Sequence, residues 1–282
     1  MRMMTTKSLV ILFVAAFAAM NLYAKNAFGL VDTNGAWRVI KGHVEAIRSV
    51  VLVPQIEGYV TKVCFAEGGL VRKGDVLYQL EGERYRSQLD LCEAELSAAT
   101  FAVGHSQREF ERMTAVDSRG VTQVEVDAAS LQYETAKSSE RQAKANRDMA
   151  AFDLDKTRIT SPIDGRIGAS AVCPGSYVSP VHEPLAQIVQ VDPIRVVFPI
   201  SVAEYVRYKK SRASLREVYG DVRLVLPGGV PYDQCGSVDF ENNVINEGEE
   251  TIYLGASFPN PDQLLLPNAA VDVLIGKSMK CD

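Results

Sequence analysis

The chain has little of what would mark an enzyme or a nucleic-acid partner. Its three histidines, at 43, 105 and 182, are isolated, and none stands at metal-ligand spacing from another. Five cysteines (64, 92, 173, 235 and 281) are scattered without a C-x-x-C pair. Neither a disulfide framework nor a zinc site is therefore expected, and several of these cysteines are read as plain buried hydrophobes. No serine stands in a G-x-S-x-G elbow. Thirty Lys plus Arg face thirty-five Asp plus Glu, a net charge of −5, with no dense basic block. That leaves a nucleic acid no electrostatic footprint. No apolar run reaches the ~20 residues a helix needs to cross a bilayer. No catalytic constellation is present, so the chain is read as no enzyme, with no metal and no cofactor.

What is there suits a folded protein. The 282 residues are 47% apolar and 23% charged, enough for two or three compact units. Residues 1–24 read as a secretory signal: Arg2 and Lys7 precede an apolar stretch from Ser8 to Met20, and Leu22-Tyr23-Ala24 offers a small-residue exit. Cleavage is expected after Ala24; an uncleaved anchor reaching about Tyr23 is the alternative. No Cys follows closely enough for a lipid-anchored N-terminus.

The informative feature is an internal repeat whose copies lie far apart. With Gly58 aligned on Gly165, Ile56 matches Ile163, Val60 matches Ile167, Phe65 matches Val172, Gly68 matches Gly175 and Val71 matches Val178. Apolar residues two apart share one face of a strand. Gly68 and Gly175 stand in Glu67-Gly68-Gly69 and Pro174-Gly175-Ser176, where φ > 0 costs glycine nothing. Gly58, Gly68, Gly165 and Gly175 are all assigned to structural turns. Each half reads as short strands, over 51–82 and 158–189, and neither buries a core alone, so the two are expected to pack together.

Between them, residues 83–157 contain no proline, which permits long helices. Leu89, Cys92, Leu96, Ala99, Val103, Ser106, Phe110 and Met113 recur at alternating spacings of three and four, a heptad seam. In the second arm Ala129, Ala136, Ala143 and Ala150 recur every seven, flanked by Tyr133 and Leu154. A competing stripe of Leu131, Ala145, Met149 and Phe152 fits nearly as well, and the register stays open. Gly120 is placed to end the first helix in the left-handed conformation, and Thr122 with Glu125 forms a capping box for the second. The result is an antiparallel hairpin of about 50 Å at 1.5 Å per residue.

A split lipoyl-like unit with an antiparallel coiled-coil α-hairpin between its halves resembles the membrane fusion proteins (periplasmic adaptors of the HlyD-like superfamily) of bacterial efflux systems. The run Thr157-Arg158-Ile159-Thr160-Ser161-Pro162-Ile163-Asp164-Gly165-Arg166-Ile167 is similar to that family's strand after the hairpin. Asp192-Pro193-Ile194, and Phe258-Pro259-Asn260-Pro261-Asp262 leading to Leu265-Leu266-Pro267, resemble the adaptors of resistance–nodulation–division (RND) pumps. The resemblance implies an elongated α+β chain. Strands at 195–200, 222–226, 237–240, 251–258 and 270–275, with a short helix at 202–210, then belong to a small β-barrel over 39–50 and 190–276. Residues 277–282 are a tail, and the family's membrane-proximal domain is expected to be missing or reduced.

By the same resemblance the protein would lie in the periplasm of a Gram-negative bacterium, associated with the inner membrane. Its partners would be an inner-membrane efflux transporter and an outer-membrane channel for small-molecule export. It would assemble as a ring, commonly of six copies, and bind no nucleic acid. The family's hairpin tip carries Arg, Leu four residues on and Ser seven beyond; here Arg112, Val116 and Thr122 match by type, with the second spacing one residue short. These three and Gly120 are the candidate partner-binding residues. The alternatives are an adaptor of an ABC-type exporter or type I secretion system, a purely structural coiled-coil protein, and a lipoyl or biotin carrier modified at Lys156. The carrier is disfavoured because the hairpin replaces the turn that would display the lysine.

Overall fold

A computed structural model describes residues 37–115, 122–181, 184–246, 248 and 250–276. The proposed signal, residues 1–24, and the tail, 277–282, lie outside the described residues. The chain divides into two units, one drawn from residues up to 49 and from 189 onwards, the other from 50–188.

The second unit interleaves its two halves. The first half supplies β2 (Ser49–Leu52), β3 (Gly58–Val63), β4 (Leu70–Val71) and β5 (Val76–Leu80). The second supplies β6 (Arg158–Thr160), β7 (Gly165–Ile167), β8 (Tyr177–Val178) and β9 (Ala186–Val189). One sheet runs β2-β9-β7-β4 and the other β6-β5-β3-β8. Exchanging each strand for its repeat counterpart converts one order into the other, so the sequence repeat is a pseudo-twofold axis. Alternating residues from both halves, among them Val60, Leu77, Leu80, Ile167, Val178 and Ile188, close one buried core. Too short to hold a core alone, the strands stabilise one another by pooling it.

Gly68 and Gly175 occupy matching left-handed positions, φ 72° and 93°. Gly58 and Gly165 require a correction: they are not turn residues but open β3 and β7. A Cβ on Gly58 would meet Leu80 at an ordinary 3.8 Å, so neither φ nor space demands glycine there. The chain reverses later, at Gly68 and Gly175, where the positive φ lies.

Between β5 and β6 run α1 (Glu83–Ala115) and α2 (Gln123–Lys156). Their contacts pair in reverse order: Gly82 lies beside Leu154 and Thr157, Thr100 Oγ1 donates to Glu140 Oε1 at 2.8 Å, and the Phe110 ring stacks on Tyr133. The helices are therefore antiparallel. On α1 all eight positions from Leu89 to Met113 in the heptad are buried or half-buried. On α2 the alanine seam faces inward, with Ala129 and Ala150 buried. The competing stripe points to solvent: Leu131 is 70% exposed, Met149 67% and Phe152 55%. Small alanines prevail because they let the two backbones approach, which the larger stripe would prevent.

The other unit is a closed barrel. β1 (Trp37–Glu45), β10 (Ile194–Ser201), β11 (Asp221–Leu226), β13 (Gly236–Asn246), β14 (Thr251–Phe258) and β15 (Ala270–Gly276) pair antiparallel in the order β11-β13-β14-β10-β1-β15. A β11–β15 pairing shuts the ring and removes its edges. The short β12 (Val230–Pro231) hangs on β11. Inward residues such as Val44, Val196, Phe198, Leu254, Ala256 and Val273 fill the interior. Two helices follow β10: α3 (Val202–Ser211), capped by Ser201, and α4 (Leu215–Tyr219), whose Ser214 and Glu217 form a capping box. The sequence pattern did not show α4 or β12, because one turn and two residues carry no period to detect.

Gly42 sits where β1 lies between β10 and β15. A Cβ there would stand 2.8 Å from the Val197 carbonyl oxygen and 2.8 Å from Val273 Cγ2. Neither a ladder carbonyl nor a fully buried valine yields easily. Gly42→Ala is expected to destabilise the barrel by about 1–3 kcal/mol, read as a lowered urea midpoint.

Cys235 is disulfide-bonded. Cys64 and Cys173 are exposed thiols, and Cys92 is buried in the α1 seam as a hydrophobe.

Candidate functional site: the tip of the helix pair

The tip is built by the end of α1 and the start of α2. Phe110 and Met113 are the last seam residues of α1, and Phe110 stacks on Tyr133 with ring centroids 6.0 Å apart. That contact fixes the two helices beside each other just below the tip. Arg112 lies off the seam, its side chain 68% exposed, and pairs with Glu109 one turn earlier on the same helix. A cation in the last turn also meets the carbonyl end of α1 favourably. Arg112 is thus presented to solvent, and its partner Glu109 is half-buried on the same helix.

Thr122 is the N-cap of α2. Its Oγ1 accepts from the Glu125 amide, while Glu125 Oε2 accepts from the Thr122 amide and hydroxyl, both at 2.8 Å. The backbone and side-chain hydrogen bonds from Thr122 hold the Glu125 carboxyl below the usual carboxylate range. This contribution to the cap is therefore present at neutral pH and lost as the pH falls through the Glu125 pKa. Val116 and Gly120, the other two candidate residues, lie outside the described residues. Of the four candidates, the described pair, Arg112 and Thr122, falls on two facing helix ends. Sequence spacing did not show the pairing of Arg112 with Glu109.

Lys156 ends α2, with Nζ 4.6 Å over the Phe152 ring and 3.3 Å from Asp155 Oδ2. It closes a helix rather than standing at the tip of a hairpin turn. His43 pairs with Glu45 at 2.8 Å on β1, His105 is exposed on α1, and His182 lies outside the described residues. Among the described residues no helix is long and apolar enough to cross a membrane.

The chain thus carries an interleaved β unit with an inserted helix pair and, besides it, a small closed barrel. A family model described as the barrel-sandwich hybrid domain of RND membrane fusion proteins (RND MFP) matches residues 48–190, and one for the β-barrel domain of the same proteins matches 193–279. The chain belongs to the RND membrane fusion protein family.

Among curated relatives it is 33% identical over 239 residues to the efflux pump periplasmic linker BepF of Brucella suis, covering 82% of this chain and 57% of that protein. It is 31% identical to both the multidrug export protein AcrE and the multidrug efflux pump subunit AcrA of Escherichia coli. Those matches cover 86% and 82% of this chain, and 65% and 60% of the relatives. The chain thus spans less than two thirds of the length of these relatives. A crystal structure of a MacA–MexA chimera carrying the Pseudomonas aeruginosa MexA α-hairpin domain shares the fold, with TM-score 0.62 and 20% identity over 86% of this chain and 79% of the chimera. So does the membrane fusion protein Spr0693 of Streptococcus pneumoniae, at TM-score 0.60 and 13% identity, over 86% and 100% of the two chains.

Proposed function

We propose that this chain is the periplasmic adaptor subunit of a tripartite efflux system, lying beside the inner membrane and linking an RND-type transporter there to an outer-membrane channel. Small-molecule export is the activity served. The observation that carries the reading is the pair of RND family models matching nearly all of 48–279, on a chain whose split β unit holds a helix pair each about 50 Å long. Such a chain does mechanical rather than chemical work: a rigid lever with a presented tip. Arg112, Val116, Gly120 and Thr122 are the residues proposed to meet the channel, with Arg112 offering a fork of donors to carbonyls or carboxylates. The RND-specific models favour that partner over an ABC-type exporter. The test is extrusion of ethidium by a strain lacking its adaptor and supplied with the full-length protein and its genomic transporter. Restored extrusion is expected; extrusion at the level of the empty strain counts against the reading.

Side-by-side assembly into a ring, with six copies as the family implies, belongs to the same proposal. The outward stripe on α2 supports it, because Val124, Leu131, Ala145 and Phe152 recur at multiples of seven opposite the seam already used. Val124 is 76% exposed, and an apolar heptad turned to water favours a third helix. Replacing Leu131 and Phe152 together by Glu is expected to shift the sedimenting species to monomer at unchanged helical circular dichroism. An unchanged oligomer would remove the stripe from the interface.

A further inference from the structure

Where the helix pair joins the β unit, the surface opens into a cleft of about 530 Å³. A volume of that size lies within the range of small-molecule sites. Ala151 and Leu154, in the last turns of α2, supply its accessible apolar lining, with the buried Leu80 of β5 behind them. Two guanidinium groups line it from different elements: Arg86 in the first turn of α1 and Arg158 at the start of β6. Both side chains are exposed, and among the described residues neither has a carboxylate at ion-pair distance.

Two carboxylates line the same cleft, and each has a use of its own. Asp155 lies 3.3 Å from Lys156 Nζ, and Glu83 occupies the first turn of α1, where the amide dipoles favour an anion. A third cation stands in the same row. Lys62 on β3 is the register partner of Gln79, and Gln79 is the partner of Arg158. Apolar walls beside two unpaired guanidinium groups match a molecule with an apolar body and one planar anionic head. Arginine binds such heads through paired donors, more strongly than neutral groups do.

We propose that this cleft binds an amphipathic small anion, its carboxylate or sulfonate held by Arg86 and Arg158 and its apolar body laid on Ala151 and Leu154. The site does not depend on the transport reading. Its occupant would touch the end of β5, the start of β6 and the roots of both helices, and so would stiffen the junction from which the helix pair projects.

The experiment is calorimetric titration of the full chain with 8-anilinonaphthalene-1-sulfonate and with dodecanoate, followed by amide hydrogen exchange with and without each probe. Saturable binding of one molecule per chain is expected, with exchange slowed around 82–86 and 154–158. The double substitution of Arg86 and Arg158 by Gln should weaken both probes at least about tenfold while leaving the thermal melt unchanged, since both residues are exposed. Dodecanol, which has no charge, should bind at least about tenfold more weakly than dodecanoate. Four results would overturn the proposal: equal affinity in the double variant, equal affinity for the alcohol, protection confined to other segments, or no saturable binding up to about 1 mM.

Discussion

Asn260→Ala is expected to cost the barrel unit about 3–5 kcal/mol, a large effect for one exchange of a polar side chain. Asn260 is fully buried between β14 and β15. Its Nδ2 donates to the carbonyls of Val191 at 2.8 Å and Leu265 at 2.9 Å. Its Oδ1 accepts from the Leu265 amide at 3.1 Å and lies 3.4 Å from the Tyr232 hydroxyl, which donates to the Pro259 carbonyl at 2.7 Å. One side chain thus satisfies three buried backbone groups and fastens the segment before β10 to the loop that follows β14. Alanine leaves all three without partners, and each orphaned buried group costs about 1–3 kcal/mol. Asn260→Asp keeps the shape but turns a carboxylate toward two carbonyls, so it should do no better. Urea unfolding followed by circular dichroism gives the value; a loss under about 1 kcal/mol would mean that water replaces the amide.

Arg112→Asp should reduce efflux to the level of a strain without adaptor while barely touching the fold. Arg112 pairs with Glu109 one turn earlier on the same helix, and with the Arg112 side chain 68% exposed such an i,i+3 pair contributes a few tenths of a kcal/mol. The substitution adds mild repulsion toward Glu109 and an unfavourable anion at a helix C-terminus, again a few tenths of a kcal/mol. A stability loss that small cannot empty the folded population, so lost transport would report a lost contact. Arg112→Lys keeps the charge without the planar fork and should fall between the two. Thr122→Ala is a poorer probe, because it also removes a cap expected to be worth ~1 kcal/mol. Normal transport by Arg112→Asp would show that the tip pattern is an accident of helix composition.

The parts of this molecule that could be read from sequence are those where one period governs many residues. Leu89 through Met113 announce a helix seam because eight positions repeat the same spacing, and the repeat from Ile56 to Val178 announces a doubled β unit. Periodicity alone did not choose between the two stripes of α2, since both fit a heptad; only the close approach of α1 selects the alanines. The repeat marks where Gly58 and Gly165 recur but not what φ each takes, so it suggests turns where the chain opens strands. Asn260 stood in a recognisable run, yet its partners lie at Val191 and Leu265, and no local pattern reveals a buried amide reaching a distant carbonyl. The cleft at Arg86 and Arg158 was equally hidden, because its walls are more than sixty residues apart in the chain and meet only when the halves of the β unit pair.

The most direct test of the adaptor assignment is photo-crosslinking in living cells, with a photoreactive amino acid placed at position 112 of the full-length protein. The expected result is an adduct with an outer-membrane channel protein from position 112 and none from Glu93, which is exposed near the root of α1. No channel adduct from position 112, or equal adducts from 112 and 93, would contradict it.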